Sequence, residues 1–238
     1  MKFGHPLREA LFLKRRSVNI VEADTGGVKI NLLCTNNNKL LNSTVLGSRI
    51  WYTPERFIPS YCPAIWQLSE VDFGEIVCVN ENLCTDLFIE GYNNKIISFL
   101  NFDNNNNLLQ PNQHLPGGYN YDFSLIDKHT NNIAGLIIVK STTSEYFPEG
   151  EFSVNKDIRE ELLALIHAKM LGYRAILCCF VLAKGITELA LSSKYEPECN
   201  TLLAKALDIG VEICAYATNP SASSIEVTAP VKLACKLN

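Results

Sequence analysis

Asp122 and Lys140 fall on two consecutive strands of a predicted hairpin, with Asn131-Asn132 at its turn. Two-strand sites of the form Asp…(Asp/Glu)-x-Lys can cut phosphodiesters. Two carboxylates hold Mg²⁺, while the lysine polarises the attacking water and stabilises charge on the phosphate. The residue between acid and lysine matters, because side chains alternate along a strand and the outer two then share a face. Asp122 suits the metal ligand and Lys140 the lysine. Ile138 stands where the second acid belongs, and it cannot ligate. Taken alone, the pair is also what an exposed ion pair on adjacent strands looks like.

A second acid can come from a neighbouring helix. Glu145, Glu149, Glu151 and Asp157 lie close enough in sequence to swing in, whereas Glu160 and Glu161 read as the solvated face of that helix. A different chemistry is suggested near the start of the chain. Residues 1–56 carry a net charge of +5, although the whole chain carries −4. Lys14, Arg15 and Arg16, with Arg49 on a later strand, form a candidate phosphate-binding patch whose contacts would be independent of base sequence. Trp51 and Tyr52 could stack unpaired bases if exposed, but Trp51 and Trp66 read first as barrel core.

The elements that must position these residues fall into two groups. Leu7–Val21, Val28–Cys34, Val45–Thr53, Ala64–Val71 and Glu75–Asn80 read as short strands without an intervening helix, which suggests a small barrel over residues 1–80. Residues 81–238 alternate instead. Asn82–Glu90 reads as a helix that Ile96–Leu100 extends, and the Asn-rich segment 101–118 reads as loop. Tyr119–Asp127 and Gly135–Ser141 follow as strands, then a helix capped by Ser153 and running to about Leu171. Arg174–Leu182, a helix over Glu196–Ile209, Val211–Ala217 and Ser224–Ala234 complete a mixed sheet.

Composition excludes several classes. The 238 residues are 47% hydrophobic and 19% charged, which rules out global disorder. The net charge of −4 excludes a uniformly basic nucleic-acid binder, though not a local basic face. Arg8 and Lys14–Arg16 break the N-terminal apolar pattern, and the longest apolar run, Ala175–Ala183, is too short to span a bilayer. A cytoplasmic protein away from membranes is the expectation. Nine cysteines without a C-x-x-C pair read as buried reduced thiols rather than zinc ligands.

Over essentially its whole length the chain resembles the sugar fermentation stimulation protein A family. The resemblance is carried by Leu7-Arg-Glu-Ala-Leu-Phe-Leu-Lys-Arg-Arg16, Ile65-Trp-Gln-Leu68, Val77-Cys-Val-Asn80, Tyr121-Asp-Phe123 and Ile138-Val-Lys-Ser141. Tyr146-Phe-Pro148, Gly172-Tyr-Arg-Ala175, Tyr195 and Ala206-Leu-Asp-Ile-Gly-Val-Glu-Ile213 continue it in the same order. It implies an OB-like barrel joined to a restriction-endonuclease-like, PD-(D/E)xK domain of mixed α+β class. It also implies non-specific DNA binding and a regulatory role in sugar (maltose) metabolism. The family's Glu-Val-Lys is here Ile138-Val139-Lys140, and its Cys-Pro-Asn-Thr-Gly segment is Cys34-Thr-Asn-Asn-Asn38. The family's Arg-Gly-x-Lys-His segment is Val154-Asn-Lys-Asp-Ile158, and its upstream glutamate falls near Pro111–Gln113, where no acid stands. Together these point to a weak DNA binder with a degenerate nuclease site that needs no cofactor. The alternatives are a Mg²⁺-dependent endonuclease with a displaced carboxylate and a partner-binding protein without DNA affinity. A homo-oligomer stays open.

Overall fold

The structure, a computed structural model, describes every residue except 36–43, 55–63, 72–73, 98–106, 115–117, 143–150, 154–157, 193–196 and 236–238. Strands β1 (Arg8–Ser17), β2 (Ile20–Thr25), β3 (Val28–Leu33), β4 (Arg49–Pro54) and β5 (Ala64–Glu70) pair in the order β3-β2-β1-β4-β5. A parallel contact between Leu33 and Ile65 joins β3 to β5 and closes a five-strand barrel. The apolar stretch predicted as one strand over Leu7–Val21 is a hairpin instead, with Ser17 paired to Ile20. Apolar content alone does not reveal a two-residue turn. Ala10, Phe12, Val21, Ala23, Leu32, Ile50 and Trp66 fill the interior, where the rings of Phe12 and Trp66 stack 5.8 Å apart.

Strand β6 (Ile76–Cys78) leaves the barrel along β5 and reaches the second sheet, where the Cys78 amide donates to the Leu182 carbonyl at 2.9 Å. A short 3₁₀ turn at Glu81–Leu83 then leads into helix α1 (Cys84–Asn93). Its predicted extension through Ile96 is absent: the chain turns at Asn94-Lys95, and Lys95 takes a φ of 59°. The rest of that extension, 98–100, lies outside the described residues.

The second sheet has eight strands. They are β7 (Asn107–His114), β8 (Asn120–Asp127), β9 (Ile133–Thr142), β10 (Glu151–Ser153), β11 (Arg174–Val181), β12 (Glu188–Ser192), β13 (Glu212–Pro220) and β14 (Ile225–Cys235). Their order is β10-β12-β14-β13-β11-β9-β8-β7. Strands β9, β11 and β13 run parallel, while β7, β8 and β14 pair antiparallel with β8, β9 and β13 respectively. This is the expected mixed sheet. Helix α1 covers one face, and α2 (Arg159–Met170) with α3 (Pro197–Asp208) covers the other.

Three expectations need correction. Part of the Asn-rich segment read as loop is the edge strand β7, because its partner β8 supplies backbone hydrogen bonds that composition does not report. Ser153 ends strand β10 rather than capping the helix, which begins after Ile158 with no side-chain cap. Strand β12 was not foreseen. It is five residues long and pairs in parallel with β14, a non-local contact with no sequence signal of its own. No helix among the described residues is long and apolar enough to cross a membrane.

Candidate functional site

Alternation along β9 decides which residues meet. Leu136 and Ile138 pack with Leu162 and Leu165 of α2, whereas Ile137 and Val139 pack with Leu87 and Phe88 of α1. Lys140 therefore continues the face turned to α2. On β8, Phe123 stacks on Phe88 at 4.8 Å on the α1 side, whereas Tyr121 donates its hydroxyl to the Ala164 carbonyl of α2, so alternation breaks here. The charges of Lys140 and Glu161 that act on Asp122 place it beside them. The β8–β9 ladder extends only to the Phe123–Ile137 pair. One residue further, the Asp122 side chain takes over from the backbone: its Oδ2 accepts the Val139 amide at 2.7 Å. Hence Asp122 is fixed against β9 by a bond that leaves its other oxygen for a different partner.

The third member of this group comes from the first turn of α2. Glu161 Oε1 lies 2.5 Å from Lys140 Nζ, with the glutamate side chain 19% exposed and the lysine 38%. Its other oxygen, Oε2, is buried and has no hydrogen-bond partner among the described residues. Burial holds the Asp122 carboxyl above its ordinary value, against the Val139 amide and Lys140, and the charge of Glu161 adds to that rise. Asp122, Lys140 and Glu161 thus share one electrostatic neighbourhood on the α2 face.

Glu161 was expected on a solvated face, and that expectation fails. Glu160 is exposed, but Glu161 precedes Leu165 by one turn and so lies on the edge of the buried stripe. An i, i+4 count from Leu165 would have found it. Ile138 is 3% exposed in the apolar contact between β9 and α2, so the position of the missing acid is part of the core. Glu145, Glu149 and Asp157 lie outside the described residues, and Glu151 is described only as backbone of β10.

The two carboxylates suit a hard divalent cation. Mg²⁺ commonly keeps several waters and binds proteins through one or two carboxylates together with substrate phosphate, so a pair of acids is a sufficient donor set. The buried oxygen of Glu161, without a partner among the described residues, is the observation that fits such a guest. Among the described residues no group of three or more His, Cys, Asp or Glu converges as a full protein cage.

The basic candidates on the barrel have partners within it. Arg15 turns back to donate to the carbonyls of Ser17, at 3.0 Å, and Val18. Arg16 grips Glu22, which is only 4% exposed, and this pairing holds the Glu22 carboxyl below its ordinary value. Arg49 makes a two-pronged contact with Glu70 at 2.9 Å and lies 5.7 Å over the Trp51 ring. Lys14 is exposed beside them. Trp51, Tyr52 and Trp66 are all buried, which removes them as stacking surfaces.

Residues 82–224 match the family described as the sugar fermentation stimulation protein RE domain. The chain belongs to the sugar fermentation stimulation protein family. It is 28% identical over 243 residues to a sugar fermentation stimulation protein homolog of Shewanella loihica, covering 98% of this chain and all of that one. A homolog from Mannheimia succiniciproducens is 26% identical over 218 residues, covering 89% of this chain and 88% of the relative. Pyrococcus furiosus SfsA, solved in complex with Ca²⁺, superposes with a TM-score of 0.77 at 18% identity over 98% of both chains, a likeness of fold. The stretches that prompted the resemblance accordingly span both sheets of a family member.

Proposed function

We propose that this family member is a DNA-binding protein whose C-terminal sheet carries a divalent-cation site for phosphodiesters, held by Asp122 and Glu161 with Lys140 beside them. The observation that carries the reading is the 2.5 Å contact between Lys140 and Glu161 on the Asp122 face of the sheet. It supports replacement of the acid missing at Ile138 by one from α2. The Ca²⁺ named with the Pyrococcus furiosus relative is in keeping with a hard cation.

Bound there, Mg²⁺ would supply Lewis-acid polarisation of a phosphate oxygen and a more acidic water. The chain's own residues do the rest. Asp122, anchored by the Val139 amide, fixes the position of one anionic oxygen. Lys140 offers a cationic donor to phosphate oxygens, and Ile138 with Leu162 forms an apolar wall that limits water behind the site. Weak, sequence-independent contacts come from Lys14, Arg15, Arg16 and Arg49. Arg16 and Arg49 stay about half exposed, at 53% and 52%, and a guanidinium has five donors, so a carboxylate partner leaves some for phosphate.

A second reading is favoured by Ile138 itself: a DNA binder of the same family that does not cut. Fluorescence anisotropy of a labelled duplex at two salt concentrations, with Mg²⁺ or chelator and a gel of the recovered DNA, separates the two. Salt-sensitive binding with Mg²⁺-dependent cuts that vanish in Glu161→Gln is the expected result. Binding without cuts would refute the phosphodiester site and leave the second reading. No binding at low salt would refute both and leave a partner-binding protein.

A further inference from the structure

Resting on the cation site just proposed, we propose that the Lys140–Glu161 ion pair is a latch: Lys140 stands in for the cation on Glu161 and is released toward phosphate when the cation arrives. Three observations lead there. Lys140 Nζ lies 2.5 Å from Glu161 Oε1, so this oxygen cannot also face a divalent cation without the ammonium moving. The Glu161 side chain is the more enclosed partner, at 19% exposed, and its second oxygen is buried without a hydrogen-bond partner among the described residues. The carboxylate is therefore held while the lysine is freer to leave. Lys140 itself is 38% exposed on a long flexible stem, as a group that exchanges partners must be.

The physical logic is competition between two cations for one carboxylate. With Lys140 in place, Glu161 is neutralised and Asp122 keeps a compensating charge nearby. A divalent ion entering between the acids supplies more charge than the ammonium and repels it. The displaced ammonium then lies next to the cation with no carboxylate of its own, which is the position from which a third, anionic group is bound. Cation and phosphate binding are in this way linked: phosphate that holds Lys140 away from Glu161 also favours the cation. The latch leaves the empty site with one net negative charge instead of two.

The distinctive consequence is the sign of one substitution. Lys140→Gln removes the competitor and its repulsion, so it tightens cation binding by about two- to fivefold, the range expected for loss of a part-exposed pair. Lys140→Arg keeps the charge and stays within about twofold of the parent. Mn²⁺ is the probe, with the free ion counted by electron paramagnetic resonance on the full-length chain. In parallel, acetylation of Lys140 by acetic anhydride, read by peptide mass spectrometry, speeds up when Ca²⁺ is present. Circular dichroism and thermal melting confirm that each variant is folded. If Lys140→Gln binds Mn²⁺ no more tightly than the parent, or more weakly, the lysine merely positions Glu161 and the latch is wrong. If the parent protein binds no Mn²⁺ while folded, the site reading falls first and the latch with it.

Discussion

Placing the family's acid at position 138 by Ile138→Glu tests the proposal that a second carboxylate comes from α2 instead. Ile138 is 3% exposed and packs with Leu162 and Leu165 across the β9–α2 contact. Removing an isoleucine from such a site forfeits about 1.5–3 kcal/mol of burial. An acid forced into the same space adds about 1–3 kcal/mol for polar atoms without full partners. Lys140 shares its face and offsets part of this, so a net loss of about 3–5 kcal/mol is expected, against about 5–15 kcal/mol for a typical domain. A cation held by the new acid should return some stability, since ligand at a hundred times its Kd contributes about 2.7 kcal/mol. The assay is urea unfolding followed by circular dichroism, first in chelator and then in Ca²⁺. A much lower midpoint in chelator, partly recovered in Ca²⁺, is the expected pattern. An unchanged midpoint in chelator would mean that position 138 is open to water, and the argument for Glu161 would lose its premise.

Three further outcomes follow from the same packing and pairing. Glu22, held below its ordinary value by Arg16, contributes stability that is complete above the unfolded carboxylate range and is lost as pH falls through its native value. Glu22→Gln should therefore flatten the acid limb of a melting-temperature profile, and an unaltered limb would count against the pairing. Gly135 pairs with Arg174, where an added methyl would lie 3.3 Å from the Arg174 Cβ and carbonyl oxygen. Gly135→Ala should cost about 1–3 kcal/mol in urea unfolding by pressing β9 from β11, and a neutral result would show that the strands can shift. Finally, Cys34, Cys78, Cys84, Cys178 and Cys179 are buried, and burial pushes the Cys78 thiol up to about 12. Among these six cysteines, maleimide labelling of the native chain should spare the five and reach half-buried Cys214, with mass spectrometry to show otherwise.

Much of this molecule was legible as sequence because the signals were local. Continuous apolar runs located β9 and the doubly buried strand read over Arg174–Leu182, and Gly172 and Gly210, with φ of 88° and 89°, mark where α2 and α3 give way to strands. The face shared by positions 138 and 140 followed from the period of two along a strand. The resemblance to the family was equally local, a series of short matches in order.

What failed to show in the sequence depends on partners far along the chain. Strand β7 is polar and contains Pro111, yet β8 recruits it as an edge, where one face of the backbone needs no partner. The hairpin at Val18-Asn19 and the strand β12 are likewise set by pairing and not by composition. Glu161 is the clearest case. Its neighbours in sequence, Arg159 and Glu160, are exposed, and only the packing of Leu162 and Leu165 against Ile138 rotates α2 until the carboxylate reaches Lys140. Sequence alone determined which strand carries the aspartate, which carries the lysine, and that an isoleucine breaks the motif. The docking of one helix on the sheet decided which acid meets Lys140, because the i, i+4 stripe puts Glu161 at the edge of the buried face and only tertiary contacts fix what that edge meets.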